Sequence, residues 1–222
     1  KTCRRRGVRV VNFSGHRRGS PVAAETHGIF LEELRDASRA AADLECQTLM
    51  VLSNELGDGG CVRETWDGIP AAGKLENFAR VLERAFAESL PRDMGLVVEP
   101  LNTRKDHPGN FLSDLETAER LREMVGNPRL RILADFYHLA WMGEDPVSLA
   151  ERYAASIGPV HAAGFPGRRE PRPGGGDLDW RGVFAALRRG GYDGMVGFEY
   201  APGKDSAESV RETLGFWEAA SR

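Results

Sequence analysis

Six short runs of apolar residues divide the chain, and a longer segment with helical periodicity follows each run. Nearly continuous apolar character over so few residues is typical of parallel strands that are covered on both faces. The predicted strands are Val8–Phe13, Thr48–Ser53, Gly95–Glu99, Leu130–Asp135, Gly158–His161 and Gly194–Glu199. This alternation of strand and helix predicts an α/β fold with a parallel sheet.

The segments between the runs carry signals for helices. Phe30 and Leu34 lie on one face of the first predicted helix, as the period of an amphipathic helix requires. Asp145–Pro146 predicts a helix cap followed by a first-turn proline, and Asp179 is predicted to cap the helix that follows it. Each predicted strand is therefore followed by a predicted helix, as in repeated βα units.

Two α/β architectures fit this pattern, a barrel and an open doubly wound sheet. The doubly wound fold usually has a glycine-rich phosphate turn after its first strand, and no G-x-G-x-x-G follows Asn12–Gly15. A (β/α)8 barrel typically needs about 250 residues, whereas this chain has 222 and two units fewer. We therefore predict a TIM (β/α) barrel with about six βα units, forming one partial barrel domain over residues 1–222.

Charge and composition exclude several classes of protein. A net charge of −3 and a pI of about 6.0 argue against binding nucleic acid. No apolar stretch approaches the roughly 20 residues that cross a bilayer, so no membrane association is expected. The cysteines Cys3, Cys46 and Cys61 are odd in number and lack C-x-x-C spacing. With no secretory pattern at the start of the chain, we expect a reducing, cytoplasmic location.

Four potential metal ligands stand at the carboxyl ends of predicted strands: Glu99, Asp135, His161 and Glu199. Their spacings of 36, 26 and 38 residues each correspond to about one βα repeat. A parallel barrel delivers the ends of its strands to one rim, so we expect these four side chains to converge.

Convergence would bring three carboxylates together, and their mutual repulsion would raise their pKa values unless a cation lay between them. A divalent metal removes that cost. Oxygen donors with one imidazole favour Mn²⁺ or Mg²⁺ as the cofactor, with Co²⁺ or Zn²⁺ as alternatives.

Three further residues are candidates for substrate binding. His138 follows Asp135 closely enough to face the same pocket and hydrogen-bond a substrate oxygen, or else it is a loop histidine tied to backbone. Asn102 orients Glu99 or starts the next turn. Arg168 is placed to bind a substrate carboxylate or phosphate, and the rival interpretation is a solvated arginine beside Arg169.

Four segments resemble the hydroxypyruvate isomerase family of the xylose isomerase-like barrel superfamily. They are VVEPLN at 97–102, LRILADFYHLAWMGED at 130–145, FPGRREP at 165–171 and YDGMVGFEY at 192–200. The resemblance covers about Val8 to Tyr200 and is most specific in the second half. It implies that the family's first two βα units are missing and that Val8–Phe13 corresponds to its third strand.

The resemblance also implies an activity. It implies an isomerase that interconverts a small hydroxy-carbonyl compound of the hydroxypyruvate and tartronate semialdehyde type through an enediolate. Glu99, Asp135, His161 and Glu199 would bind the metal, and the two glutamates would also exchange protons with substrate. His161 departs from the pattern, because hydroxypyruvate isomerases usually carry Gln there and ketose 3-epimerases carry His. Gly164 likewise replaces an expected Asp.

Other functions stay open at this point. A ketose 3-epimerase of the same superfamily would use the same four ligands. An abasic-site endonuclease on a related barrel would need a multi-metal cluster, more than the five histidines present and a basic face. A non-catalytic, truncated metal-binding member is the third alternative. Unpaired edge strands would also allow pairing with a second copy, and hence a homo-oligomer.

Overall fold

The framework of the protein is a sheet of six parallel strands, described by a computed structural model over residues 5–172 and 178–220. The strands are β1 Phe13–Ser14, β2 Thr48–Val51, β3 Gly95–Val98, β4 Leu130–Asp135, β5 Ile157–Ala162 and β6 Val196–Phe198. Their order in the sheet is their order in the chain. A doubly wound sheet would reverse that order at a switch point, so sequential order confirms the predicted barrel type with six βα units.

Helices connect successive strands and cover the outside of the sheet. They are α1 His27–Asp43, α2 Ala71–Arg84, α3 Leu115–Val125, α4 Phe136–Met142, α5 Pro146–Tyr153, α6 Trp180–Arg189 and α7 Ser206–Ala220. A π-helical turn, Ala85–Ser89, extends α2. The buried core lies between sheet and helices, where Phe30 and Phe78 of the helices and Leu49, Leu96 and Ile132 of the strands are fully buried.

Helix ends follow the predicted capping chemistry. The side chain of Asp145 accepts a hydrogen bond from the Ser148 amide, with Pro146 at the first turn of α5. Asp179 caps α6 by accepting from the Gly182 amide. Because capping satisfies amides that the helix leaves unpaired, these two helices begin where the sequence predicts.

The first strand is shorter than predicted and begins later. Only Phe13 and Ser14 pair with β2, opposite Leu49 and Met50, while Val8 and Val11 are 57% and 38% exposed. Within the described residues β1 has β2 as its single neighbour, and a run of apolar residues forms regular strand only where a partner takes its hydrogen bonds.

Parallel alignment brings the carboxyl ends of the six strands to one rim of the sheet, and the loops after the strands surround that rim. The Gly/Pro/Arg-rich loop after β5 spans residues 164–177, and loops in this place of a barrel carry functional residues. Residues 173–177 lie outside the described residues. No helix in the described part of the chain has both the length and the apolar character needed to cross a membrane.

Candidate metal centre

The four predicted ligands lie at neighbouring strand ends. Asp135 is the last residue of β4, and it pairs in register with His161 of β5. Glu99 and Glu199 each follow the last residue of their strand and continue its ladder, the Glu99 amide donating to Val51 and the Glu199 amide to Ala162. The four side chains therefore come from four consecutive strands, β3 to β6.

The structure brings these four side chains together. One potential ligand atom from each of Glu99, Asp135, His161 and Glu199 can be chosen so that all lie within 4.8 Å of one another. Neighbouring strands supply neighbouring ligands, so the regular spacing in the sequence becomes a compact cluster at the rim.

Burial differs sharply across the cluster. Glu99 is 4% exposed and Asp135 is 1% exposed. The Glu199 side chain, in contrast, is 55% exposed. Within the described residues β6 is an edge strand with β5 as its one neighbour, which leaves the Glu199 side of the cluster open.

Burial perturbs the two interior carboxyl groups. Burial and the neighbouring Asp135 raise the pKa of Glu99 to about 8. Burial also raises the pKa of Asp135 to about 6, although Arg168 opposes the shift. Carboxylates held this close in a buried site therefore resist becoming negative together in the absence of a cation.

Glu199 and His161 form the best-paired part of the cluster. His161 Nδ1 lies 3.1 Å from Glu199 Oε2 and 3.9 Å from Glu99 Oε1. The hydrogen bond from His161 lowers the pKa of Glu199 to about 2. Burial disfavours the charged form of His161, but the hydrogen bond to Glu199 and the nearby carboxylates outweigh burial and raise its pKa.

A glycine beside the imidazole leaves room for it. Gly197 of β6 pairs with His161, and a β-carbon at Gly197 would lie 3.1 Å from His161 Cδ2. The β-carbon of any larger residue at position 197 would therefore crowd the His161 ring.

Asp135 is oriented by the helix that it begins. It is the N-cap of α4, and its Oδ1 accepts a hydrogen bond of 2.9 Å from the Tyr137 amide. Its other oxygen, Oδ2, faces the cluster. One carboxylate oxygen of Asp135 therefore stabilises the start of α4, and the other is left for a cation.

These residues suit a divalent cation. Three carboxylates and one imidazole are hard or borderline donors, and the raised pKa values of Glu99 and Asp135 show the electrostatic cost that a cation would remove. The cluster could therefore hold a metal ion.

Arg168 reaches into this cluster from the loop after β5. Its Nη2 atom lies 3.2 Å from Asp135 Oδ2 and 2.9 Å from Glu199 Oε2. Its guanidinium carbon lies 4.8 Å from the centroid of the Tyr137 ring. The predicted substrate-binding arginine is thus at the site, where its present partners are two of the four candidate ligands.

His138 and Asn102 form a buried pair next to Asp135. His138 Nδ1 lies 2.7 Å from Asn102 Nδ2. Asn102 Oδ1 accepts the amides of Lys105 and Asp106, so the side-chain nitrogen of Asn102 must face the ring and donate to it. Asn102 therefore starts the turn that follows it and orients His138.

This pairing determines where the His138 proton lies. Burial, and then Arg168, lower the pKa of His138 to about 3, so the ring is neutral. Because Nδ1 accepts from Asn102, the single proton belongs on Nε2. That atom lies 3.6 Å from Asp135 Oδ2, and His138 therefore presents an N–H donor to the site.

Glu170 was not singled out from the sequence, and the structure places it between the loop that carries Arg168 and the segment after β6. It is 3% exposed, and its Oε1 accepts a 2.9 Å hydrogen bond from the Gly203 amide. The Ala201 amide donates to the Arg168 carbonyl. Glu170 thus joins the loop that carries Arg168 to the segment that follows Glu199. An acidic residue among the arginines Arg168, Arg169 and Arg172 was the available signal.

The chain matches a known protein family over nearly its whole length. The family model described as "Xylose isomerase-like TIM barrel" matches residues 1–220. A Homo sapiens protein provisionally named hydroxypyruvate isomerase is 29% identical over 190 residues, which cover 85% of this chain and 66% of the relative. The 2-oxo-tetronate isomerase of Cupriavidus necator is 34% identical over 128 residues, 58% of this chain and 46% of the relative. The chain thus spans less than two thirds of these relatives.

A solved structure has the same fold over nearly the whole chain. The crystal structure described as AP endonuclease, family 2 from Brucella melitensis superposes with a TM-score of 0.82 at 25% identity. The superposition covers 96% of this chain and 81% of that one.

Proposed function

Because the chain belongs to the xylose isomerase-like TIM barrel family, we propose that it is a metal-dependent isomerase of a small 2-oxo acid with a hydroxyl group on the adjacent carbon. The observation that carries the proposal is the convergence of Glu99, Asp135, His161 and Glu199 within 4.8 Å, with Arg168 in contact with two of them. Hydroxypyruvate and 2-oxo-tetronate, named in the two relatives, both belong to this chemical class.

Glu99, Asp135, His161 and Glu199 would hold the cation, with Mn²⁺ or Mg²⁺ expected and Co²⁺ or Zn²⁺ as alternatives. A bound divalent cation would supply positive charge close to the oxygen atoms of the substrate, where negative charge develops.

The reaction needs proton transfers that the two glutamates are placed to perform. One glutamate, as carboxylate, removes a proton from the hydroxyl-bearing carbon, which leaves an enediolate, and the other, as carboxylic acid, delivers a proton to the former carbonyl carbon. A proton also moves from the former hydroxyl oxygen to the former carbonyl oxygen, so that hydroxyl and carbonyl exchange places. Glu99 and Glu199 stand on the outer two of the four strands, with Asp135 and His161 between them. They can therefore approach a bound substrate from different sides.

His138 and Arg168 act on the substrate's other groups. The Nε2–H of His138 donates a hydrogen bond to a substrate oxygen, since Asn102 holds the ring with that proton facing inward. Arg168 offers a planar pair of donors that matches a carboxylate.

The test is the rate at which metal-stripped protein converts hydroxypyruvate to tartronate semialdehyde, with and without added Mn²⁺ or Mg²⁺. We expect activity only with the cation, and a loss of about 10²–10⁴-fold in Glu99→Gln and Glu199→Gln, the range for a lost acid or base. Glu119→Gln is the matched control, because Glu119 pairs with Arg122 on α3 away from the cluster. Near wild-type turnover in both glutamate variants would contradict the assignment.

The same assay separates the alternatives. Turnover of ketoses in preference to hydroxypyruvate would indicate a ketose 3-epimerase, for which His161 in the ligand set is the favouring observation. Stoichiometric metal binding without turnover of either class would indicate a non-catalytic member.

A further inference from the structure

Arg168 lies where a cation would be expected to lie. Its Nη2 atom bridges Asp135 Oδ2 at 3.2 Å and Glu199 Oε2 at 2.9 Å, carboxylates from strands β4 and β6. A guanidinium keeps its proton in proteins and has no lone pair for a metal. Arg168 and a divalent cation therefore compete for the same two carboxylates.

One neighbour of Arg168 disfavours the present position of its side chain. Its Nη1 atom lies 3.3 Å from His138 Nε2, the ring nitrogen that carries the proton, so two N–H groups face each other. The attraction of the two carboxylates holds the side chain against this repulsion.

The loop can keep its place while the side chain turns away. Backbone hydrogen bonds hold the loop, from the Gly164 amide to the Arg169 carbonyl and from the Ala201 amide to the Arg168 carbonyl. The Arg168 side chain is 25% exposed, so it has a route towards the open side of the site. In its present position the guanidinium also lies over the face of the Tyr137 ring, and turning away would change this contact.

We infer that a divalent cation displaces the Arg168 side chain from Asp135 and Glu199, and that the displaced guanidinium then binds the carboxylate of the substrate. The site therefore loads in order, the cation first and the 2-oxo acid second. Without the cation Arg168 neutralises the cluster and is unavailable to an anion. This inference rests on the proposed function, because it requires a cation in the cluster.

The first experiment measures Mg²⁺ and Mn²⁺ binding by calorimetry in metal-stripped wild type, Arg168→Met and Arg169→Met, with no substrate present. Arg169 is the matched control, since it carries the same charge one residue away but donates to the carbonyls of Ala201 and Pro202. We expect Arg168→Met to bind the cation at least about tenfold more tightly, because a competing positive charge is gone. We expect Arg169→Met to stay within about threefold of wild type, as screened surface charges do.

The second experiment detects the displacement itself through the NMR chemical shifts of the Tyr137 ring during Mg²⁺ titration. The Arg168 guanidinium carbon lies 4.8 Å from the centroid of this ring, so its departure changes the surroundings of the ring. We expect the Tyr137 shifts to change with Mg²⁺ in wild type and Arg169→Met, and to change much less in Arg168→Met, which has no guanidinium to displace. Arg168→Gln serves as a second variant if Arg168→Met fails to fold.

The outcomes separate this inference from the proposed function. If wild type binds cations but Arg168→Met binds no more tightly than Arg169→Met, the displacement is wrong and the metal-dependent isomerase stands. Equal changes in the Tyr137 ring shifts of wild type and Arg168→Met would also overturn it. If wild type binds neither Mg²⁺ nor Mn²⁺, and neither Co²⁺ nor Zn²⁺ in the same titration, both proposals fail.

Discussion

At the scale of single residues, the site depends on side chains whose polar atoms have divided roles. Asp135 gives Oδ1 to the start of α4 and turns Oδ2 towards the cluster. Asn102 accepts two backbone amides with its oxygen and donates to His138 with its nitrogen. Because each atom has a separate partner, exchanging one atom for another of similar size should change a hydrogen bond, and with it function, without opening a cavity.

Asn102→Asp makes such an exchange. The new carboxylate oxygen opposite His138 Nδ1 would accept a hydrogen bond rather than donate one. The ring proton should therefore move to Nδ1 and leave Nε2 with no proton to donate. We expect kcat/KM to fall by about tenfold to a hundredfold, the lower part of the range for acid–base assistance. Histidine ¹⁵N chemical shifts of His138 report the tautomer independently of activity.

Asn127→Asp is the control for this exchange. Asn127 also accepts a neighbouring amide, that of Arg129, in the turn before β4, at the opposite end of this strand from Asp135. An unchanged His138 tautomer in Asn102→Asp would show that Asn102 does not orient the ring.

At the scale of elements, hydrogen bonds hold together the two segments that carry Arg168 and Glu199. The loop after β5 and the segment after β6 meet through Glu170, whose carboxylate accepts the Gly203 amide. The neighbouring Ser209 hydroxyl and the Gly203 amide hold the pKa of Glu170 at about 2. Glu170 therefore connects the loop that carries Arg168 to the segment after Glu199. The contribution of this connection to the stability of the fold should depend on the charge of Glu170.

Glu170→Gln tests that dependence through pH. A carboxyl group whose pKa is lower in the folded state contributes stability above its unfolded pKa, and loses that contribution as pH falls through its folded pKa. From pH 5 towards pH 2, wild type should therefore lose stability more steeply than Glu170→Gln. At pH 7 we expect the variant to be less stable by about 1 kcal/mol, the scale of one weakened hydrogen bond.

Thermal unfolding followed by circular dichroism at several pH values measures this difference. Glu55→Gln is a matched control, because Glu55 likewise accepts a glycine amide, that of Gly19, between two strand-end loops. Parallel pH profiles for wild type and Glu170→Gln would contradict the role given to the ionised carboxylate.

At the scale of the whole molecule, the sheet of the described residues has two edges. β1 and β6 each pair with one neighbour, and Met195, Val210 and Leu214 near β6 and on α7 are 46%, 53% and 54% exposed. Unpaired strand edges and adjoining apolar side chains favour association. The 222-residue chain should therefore self-associate through this side as its concentration rises.

Sedimentation velocity over a range of concentrations tests the association. Val210→Glu combined with Leu214→Glu should shift the protein towards monomer, because two buried charges in an interface are costly. Met124→Glu is the control, since Met124 is 39% exposed on α3, away from the edge strands. Equal association in all three proteins would show that α7 takes no part.

The sequence by itself determined the α/β class, the positions of β2 to β6 and the identity of the four clustered residues. It could do so because strand runs are local patterns, and because parallel topology sends every strand end to one rim. The capping aspartates Asp145 and Asp179 were predictable for the same reason, since a cap depends on residues three positions away.

Tertiary structure decided what pairs across the sheet and between loops. The length of β1 depended on which strand lies beside it, and the exposure of Glu199 on the absence of a second neighbour for β6 among the described residues. Glu170 and the bridge from Arg168 to Asp135 join residues that no local period connects. Hydrogen bonds and ion pairs depend on distances in space, and these distances exist only once the strands have packed.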